Sequence, residues 1–382
     1  MKTTYDYIIT GGGAAGLLLA LRFAEEDYFI NKSILIIEQS SKNQNDHTWC
    51  FWSKEETFIQ DCVSKQWPSV QFKGIGFDKT EKTNPYTYNK VRSVDFYAFA
   101  QKQLGQAKNI TWLQSTVDRI EQSTAVAKVY TSEWIFESKH IFNSIPFNKD
   151  YVADPTFPLI NQHFVGWFVK TKQNIFNPSV ATFMDFDIPQ NGNTRFMYVL
   201  PTSENTALVE YTLFSKEVLD KETYEQAIQA YLGKIGVQEY EIEEKEAGCI
   251  PMTCYPFWQH NSENIHHIGV AGGWAKPSTG YTFRNSLVKT ETIVSQLKSQ
   301  TKINTKQKRQ FWFYDLLLLD ILHRTNDKGQ LLFTEMFKHN SVTDIFRFLD
   351  EESSFWQNMK TIWSMPKAIF IQALLRRIFG RN

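Results

Sequence analysis

The sequence predicts an α/β protein: a Rossmann-type nucleotide-binding domain, interrupted by an inserted β-rich domain and followed by a helical C-terminal segment. Three observations predict it. A strand, a glycine turn, a helix and a second strand follow one another within the first forty residues; a second glycine turn leads into a helix near residue 280; and the stretch between them reads as a series of strands.

Tyr5 to Thr10 reads as a short buried strand, interrupted by Gly11, Gly12, Gly13 and Gly16 before the helical run Leu17 to Glu25. Ser33 to Ile37 forms the second strand and ends in Glu38. Within Gly11-x-Gly13-x-x-Gly16, Gly11 permits the tight turn, Gly13 lets a pyrophosphate approach the backbone, and Gly16 lets helix and strand lie close. The helix N-terminus attracts phosphate, and Glu38 can accept from ribose hydroxyls. Gly11, Gly13, Ala15, Gly16 and Glu38 are therefore candidate cofactor contacts, with a purely structural glycine turn as the alternative.

After a strand-like Ile265 to Val270 come Ala271-Gly272-Gly273 and Pro277-Ser-Thr-Gly280, then an amphipathic helix with Phe283, Leu287, Thr290, Val294 and Leu297 on one face. In flavoproteins whose FAD lies extended, a late segment of this kind returns to the first domain and meets the ribityl-pyrophosphate and isoalloxazine. This favours FAD over NAD and adds Gly272, Gly273, Pro277 and Gly280 to the candidates. An ordinary β-turn-α corner is the other reading. Residues 1–145 and 261–300 then form a discontinuous FAD-binding domain. Residues 146–260, with strands at Phe164 to Val169, Ala181 to Phe186, Phe196 to Leu200 and Ala207 to Leu213, form a substrate domain, and 301–382 are helical.

Lys plus Arg and Asp plus Glu number 41 each, and no region gathers the positive charge of a nucleic-acid footprint, so DNA or RNA is not an expected partner. Cys50, Cys62, Cys249 and Cys254 contain no Cys-x-x-Cys pair and no zinc-site spacing, so neither disulfides nor a metal are expected. No basic-then-apolar leader opens the chain and no run of eighteen apolar residues occurs, so the expectation is a cytoplasmic protein that does not span a membrane. The terminal segment Lys367 to Phe379 sets Phe370, Ile371, Leu374, Leu375 and Ile378 on one face, with Lys367, Arg376, Arg377 and Arg381 about it. Such a helix can rest on the inner face of an anionic membrane or pack on the protein. Aromatic residues make 15% of the chain and can line a long apolar site or simply fill cores.

Eight stretches, Asp6–Gly16, Asp46–Trp52, Val91–Phe96, Phe183–Phe186, Arg195–Pro201, Leu208–Thr212, Gly248–Met252 and Gly272–Tyr281, give the chain a family likeness over most of residues 6–285. It resembles the FAD-dependent lycopene cyclases of carotenoid synthesis, the lycopene β-cyclases in particular. His-Thr-Trp-Cys-Phe at 47–51 and Pro-Ser-Thr-Gly-Tyr at 277–281 are the selective motifs. Bacterial cyclases often carry an acidic pair where this chain has Glu210-Tyr211, so the second acid is absent there; Lys276 stands where many relatives have His.

The resemblance implies that the protein closes the linear ends of lycopene, or of another acyclic or monocyclic carotenoid, into β-ionone rings. It implies Glu210 as the proton donor, although a strand Glu taken alone is more often a solvated edge charge. Asp185 would assist proton handling or merely bond backbone at a strand end. Arg92 would meet FAD phosphate or ribityl, or else form a surface ion pair. Trp49, Phe51 and Tyr281 would face the cation or pack the core. FAD would work reduced, as an electrostatic partner with no net redox change, and NADPH or another reductant would only prime it. An FAD-dependent monooxygenase or halogenase, and a non-catalytic membrane-attached flavin or isoprenoid binding protein, are the alternatives.

Overall fold

The run Ile34 to Ile37 has no polar face, so it can form a strand only if both sides are covered. All of Ile34–Glu38 is buried in the computed structural model, which describes residues 2–380. The strand lies beside Thr4–Thr10 and Ile110–Gln114, all parallel, and Ile135–Asn143 flanks Thr4–Thr10 on the other side. An antiparallel hairpin, Val117–Gln122 and Ala127–Thr131, completes that edge of the sheet. The helix Ala14–Glu25 covers one face and packs on Phe283–Lys298, where Arg22 donates to the Leu287 carbonyl at 3.0 Å. The predicted face of that second helix, Phe283, Leu287, Thr290, Val294 and Leu297, is the buried one.

The late strand returns to this sheet as expected: Ile265–His267 pairs in parallel with Ile141–Asn143. It is shorter than the sequence suggests. Gly269 adopts a left-handed backbone (φ 61°), which ends the strand and turns the chain into a single 3₁₀ turn, Gly269–Gly272.

The second sheet runs in the order Tyr240–Thr253, Leu159–Thr171, Thr206–Ser215, Thr194–Pro201, Val180–Asp185, Ser69–Gly74, Phe77–Lys82. All four predicted strands of the middle region belong to it. Its last two strands come from inside residues 1–145, so this sheet is not built from residues 146–260 alone. Val70 and Phe72 carry the reason: they are buried with Phe186 and Phe337 in one core cluster. A small third sheet, Thr48–Ser53 with Thr87–Arg92 and Val63–Trp67, is tied to the second where the Trp67 indole donates to the Pro201 carbonyl at 2.9 Å.

The second sheet has two covered faces. Odd-numbered side chains such as Val169, Val199, Val209 and Leu213 pack on Lys221–Lys234, a helix capped by Asp220. Even-numbered ones face the C-terminal helices Arg309–Arg324, Gly329–His339, Val342–Leu349, Phe355–Ser364 and Lys367–Phe379. Phe72 stacks on Phe337 with ring centroids 4.2 Å apart, and Trp52 stacks on Phe346 at 4.4 Å. Truncating one such ring costs about 3–5 kcal/mol. The terminal helix has the bounds the sequence gives; Arg381 lies outside the described residues. All four cysteines are free thiols.

Candidate active site

A cavity of about 560 Å³ lies between the two large sheets and the C-terminal helices. At one end it touches Gly13, Ala15 and Gly280; at the other it is walled by Phe333, Phe337 and Phe370. Its floor is the even face of the second sheet, because the two-residue period of a strand sends Phe196 and Tyr198, then Leu208, Glu210 and Thr212, to the same side.

Glu210 is the predicted acid, and it lines this cavity at 8% exposure. Thr212 donates to one carboxylate oxygen at 2.5 Å. A second carboxyl, Glu246 on the strand Tyr240–Thr253, lines the same cavity at 9% exposure and accepts from the Thr48 hydroxyl at 2.6 Å. Both carboxyls are pushed well above the usual carboxylate range, in each case chiefly by burial; for Glu210 the negative charge of Glu246 adds to it. Tyr198, Tyr88 and Tyr281 form a partly buried hydroxyl chain beside them, with Tyr88 and Tyr281 2.9 Å apart. Burial holds all three phenols neutral.

The glycine cradle fits a dinucleotide. Gly13 caps the helix Ala14–Glu25 without any side-chain cap, and a Cβ on it would meet nothing within 4 Å, so the backbone N–H groups open onto the cavity. Lys42 lines the same end. A Cβ on Gly16 would stand 2.1 Å from the Gly11 carbonyl oxygen, so only glycine lets the helix lie against the turn. Glu38 accepts from Gly12 N–H at 2.6 Å and from Ser40 N–H at 2.9 Å, bracing the turn. A Cβ would strike Ser144 at Gly11, the His267 carbonyl at Gly272, Phe257 at Gly273 and the Gln162 amide oxygen at Gly280, and Pro277 is buried.

Trp49 and Tyr281 line the cavity, whereas Phe51, Asp185 and Arg92 do not, nor do Gly11, Gly16, Glu38, Gly272, Gly273 and Pro277. Phe51 is fully buried in the core, 5.3 Å from Phe283; it shares a strand face with Trp49, which packs on the same ring at 5.1 Å. Asp185 is turned to the opposite face of the sheet, where it accepts from the Tyr231 hydroxyl at 2.8 Å and lies 3.4 Å from the Lys73 ammonium. Its backbone bond, from Asp187 N–H at 2.9 Å, is the strand-end contact the sequence allows. Arg92 donates to Glu244 at 2.7 Å and is not part of the cavity wall. Glu246, Tyr88 and Tyr198 escaped sequence reasoning. For Glu246 the available signal was its position two residues before Gly248, on the same face of an alternating strand.

Lys276, which stands where many relatives have His, is held by charge. It is a buried cation that donates to Asp315 at 2.8 Å and Glu351 at 3.3 Å, so the loop before Gly280 is locked to the C-terminal helices. Burial alone would lower its pKa, but the two acids outweigh it and hold the ammonium charged.

The family model described as "Lycopene cyclase protein" matches residues 6–375. A lycopene beta-cyclase of Pantoea ananas is 26% identical over 294 residues, covering 74% of this chain and 72% of its own. Among solved structures, a flavoprotein/dehydrogenase from Cytophaga hutchinsonii matches with a TM-score of 0.64 at 10% identity, covering 99% of this chain and all of its own. A geranylgeranyl bacteriochlorophyll reductase-like protein from Thermoplasma acidophilum matches at 0.58 and 14% identity, covering 97% and 96%. At these identities the structural likeness speaks for the fold alone, that of flavin-dependent enzymes.

Proposed function

The chain belongs to the lycopene cyclase family, and on that premise we propose that it closes the linear end groups of lycopene into β-ionone rings, giving γ- and β-carotene, with Glu210 as the acid and no net redox change. One observation carries this reading: a carboxyl held neutral by burial sits in the wall of a largely apolar cavity of about 560 Å³. A solvated carboxylate could not protonate an isolated alkene, whereas a desolvated neutral carboxyl is a competent donor. The enzyme is then an intramolecular lyase, in effect an isomerase.

Gly13, Ala15, Lys42, Gly280 and the uncapped helix end would hold FAD. When bound and reduced, that group supplies negative charge and an electron-rich face to a carbocation, with NADPH or another reductant needed only for priming. The chain's own part is to exclude water, orient the end group against Glu210 and offer aromatic faces. Trp49 and Tyr281 are the cavity aromatics named by the family motifs. The neutral tyrosine chain offers hydroxyl dipoles without competing acidity.

Membrane contact belongs to the same proposal. Among the described residues no helix is long and apolar enough to cross a bilayer. The last two helices nevertheless expose Trp356 (79%), Trp363, Ile371, Ile378 and Phe379, while Ile362 and Phe370 on the same helices, and Met365 between them, line the cavity. A helix pair that is apolar outside and substrate-facing inside suits a protein resting on the inner membrane face and drawing a lipid-soluble substrate from it.

Expression in cells that accumulate lycopene, followed by pigment analysis, tests the reading: bicyclic or monocyclic product supports it, and unaltered lycopene in the presence of flavin-loaded protein sinks it.

A further inference from the structure

Tyr211 follows Glu210 in sequence but points to the other face of the sheet, where its hydroxyl accepts from Arg195 at 2.8 Å. The second acid of the cavity comes instead from another strand. Gly166 pairs with Glu210 on one side and with Glu246 on the other, so all three residues share one face. The two acids stand about 10 Å apart at the backbone, two strand spacings. A side chain at the central position would separate them. A Cβ on Gly166 would lie 2.8 Å from Leu208 Cδ1, 3.2 Å from Glu246 Cγ and 3.5 Å from Glu210 Cβ.

We propose that Glu246 is a second catalytic residue, the base that takes up the proton released at ring closure and returns it to Glu210 across Gly166. This rests on the cyclase reading above. The surroundings of the two carboxyls differ in the sense the roles require. Lys90 and Arg92 act on Glu246 and favour its charged form against burial and Glu244, whereas the charge acting on Glu210 is that of Glu246, which favours the neutral form. Each threonine engages one oxygen of its partner, Thr48 on Glu246 and Thr212 on Glu210.

The proton count closes. The Glu210 O–H bond breaks as a C–H bond forms at the terminal alkene, leaving a tertiary cation and an anionic Glu210. The neighbouring double bond attacks the cation, forming the ring C–C bond and a new cation within the ring. A C–H bond beside that cation then breaks, its electron pair becomes the ring double bond, and the proton forms O–H on Glu246. Transfer from Glu246 to Glu210 restores the starting state. The pair carries one proton before and after, and neither oxidant nor reductant is consumed.

Which carbon loses the last proton is set by where the base sits, so product identity reports on Glu246 in a way a structural role would not. The test compares wild type, Glu246→Gln and Glu210→Gln as purified, flavin-loaded, reduced proteins acting on lycopene in lipid vesicles across pH. In wild type, turnover falls at low pH as Glu246 is protonated and at high pH as Glu210 ionises. Glu246→Gln is expected to lower turnover about 100-fold or more, to lose the acidic limb while the alkaline limb moves to lower pH, and to place the ring double bond elsewhere in the residual product. Wild-type turnover with both limbs and the same ring isomer would overturn the assignment. Should Glu246→Gln not fold, Glu246→Asp decides: reduced turnover with both limbs kept supports the base, and undiminished turnover rejects it. A wild type that forms no ring refutes the cyclase reading itself, whereas a cyclising wild type with an indifferent Glu246→Gln refutes only the second residue.

Discussion

Lys276 donates to Asp315 across 2.8 Å with both side chains almost wholly buried, so a loop of the first domain and a helix of the C-terminal region are joined by a charge pair inside the protein. Removing one member of such a pair leaves the other uncompensated. Lys276→Ala is expected to cost about 3–5 kcal/mol, measured by chemical denaturation, because Asp315 and Glu351 would then face each other without a cation. A double change to Lys276→Met and Asp315→Leu should recover most of that loss. Equal stabilities for the single variant and wild type would show that the pair contributes nothing.

Glu210→Gln should retain flavin and fold while losing cyclisation by about 100-fold or more. It should also change how stability depends on pH. The folded-state pKa of Glu210 is raised above its ordinary 4.5, so between the two values the folded chain holds a proton that the unfolded chain has lost. Wild-type stability therefore falls as pH rises above 4.5, and the glutamine variant escapes this loss. The variant should gain about 1–3 kcal/mol relative to wild type between pH 4 and pH 8. A constant difference across that range would contradict the burial argument.

The two glycines of the opening turn should fail differently. Valine at Gly13 enters open space at an ordinary extended backbone, so the protein should fold and come out colourless. Valine at Gly16 meets the Gly11 carbonyl and Ile9, so it should destabilise the helix packing as well as abolish flavin absorbance. Two yellow proteins of equal stability would remove the turn from the cofactor site.

Membrane contact is best tested on exposed side chains, since Phe370 and Ala373 are buried and Arg377 donates to Asp320 at 2.5 and 2.7 Å, so deleting the last helix would also damage the fold. Replacing Trp363, Ile371 and Ile378 together by Ser should move the protein from the membrane pellet to the supernatant, with little change in melting temperature because these side chains already face solvent. Unchanged partitioning would assign the exposed apolar face another purpose.

NADPH and oxygen consumption per ring formed separates a primed cyclase from a monooxygenase. Far less than one NADPH per ring is expected; stoichiometric use of both would identify redox chemistry on this fold.

The legible parts of the molecule were those whose signal is local. The opening strand–turn–helix–strand unit, the apolar face from Phe283 to Leu297 and the terminal helix Lys367–Phe379 each carry their own periodicity, and each stands close to its expected bounds. Lys221–Lys234 was missed because its exposed polar residues outweigh Tyr224, Ile228, Tyr231 and Leu232, whose burial depends on a sheet formed elsewhere in the chain. The site divides in the same way. Glu210 was legible only through the family motif on its strand, and its acidic companion becomes adjacent only when Leu159–Thr171 threads between Thr206–Ser215 and Tyr240–Thr253. Arg92 and Asp185 were assigned from motif neighbours, and a motif does not say which face of a strand a side chain takes.

The hairpin Ser69–Lys82 has a consequence for how the polypeptide can be made. It leaves the ribosome well before Val180–Asp185, its parallel neighbour, has been synthesised, so its inner edge must wait unpaired for a late arrival. Lys79 and Lys82 on the outer strand are the kind of charges that discourage a waiting edge from pairing with another chain. A gene fusion or circular permutation that separates the hairpin from Val180–Asp185 would lengthen that wait and favour aggregation over assembly.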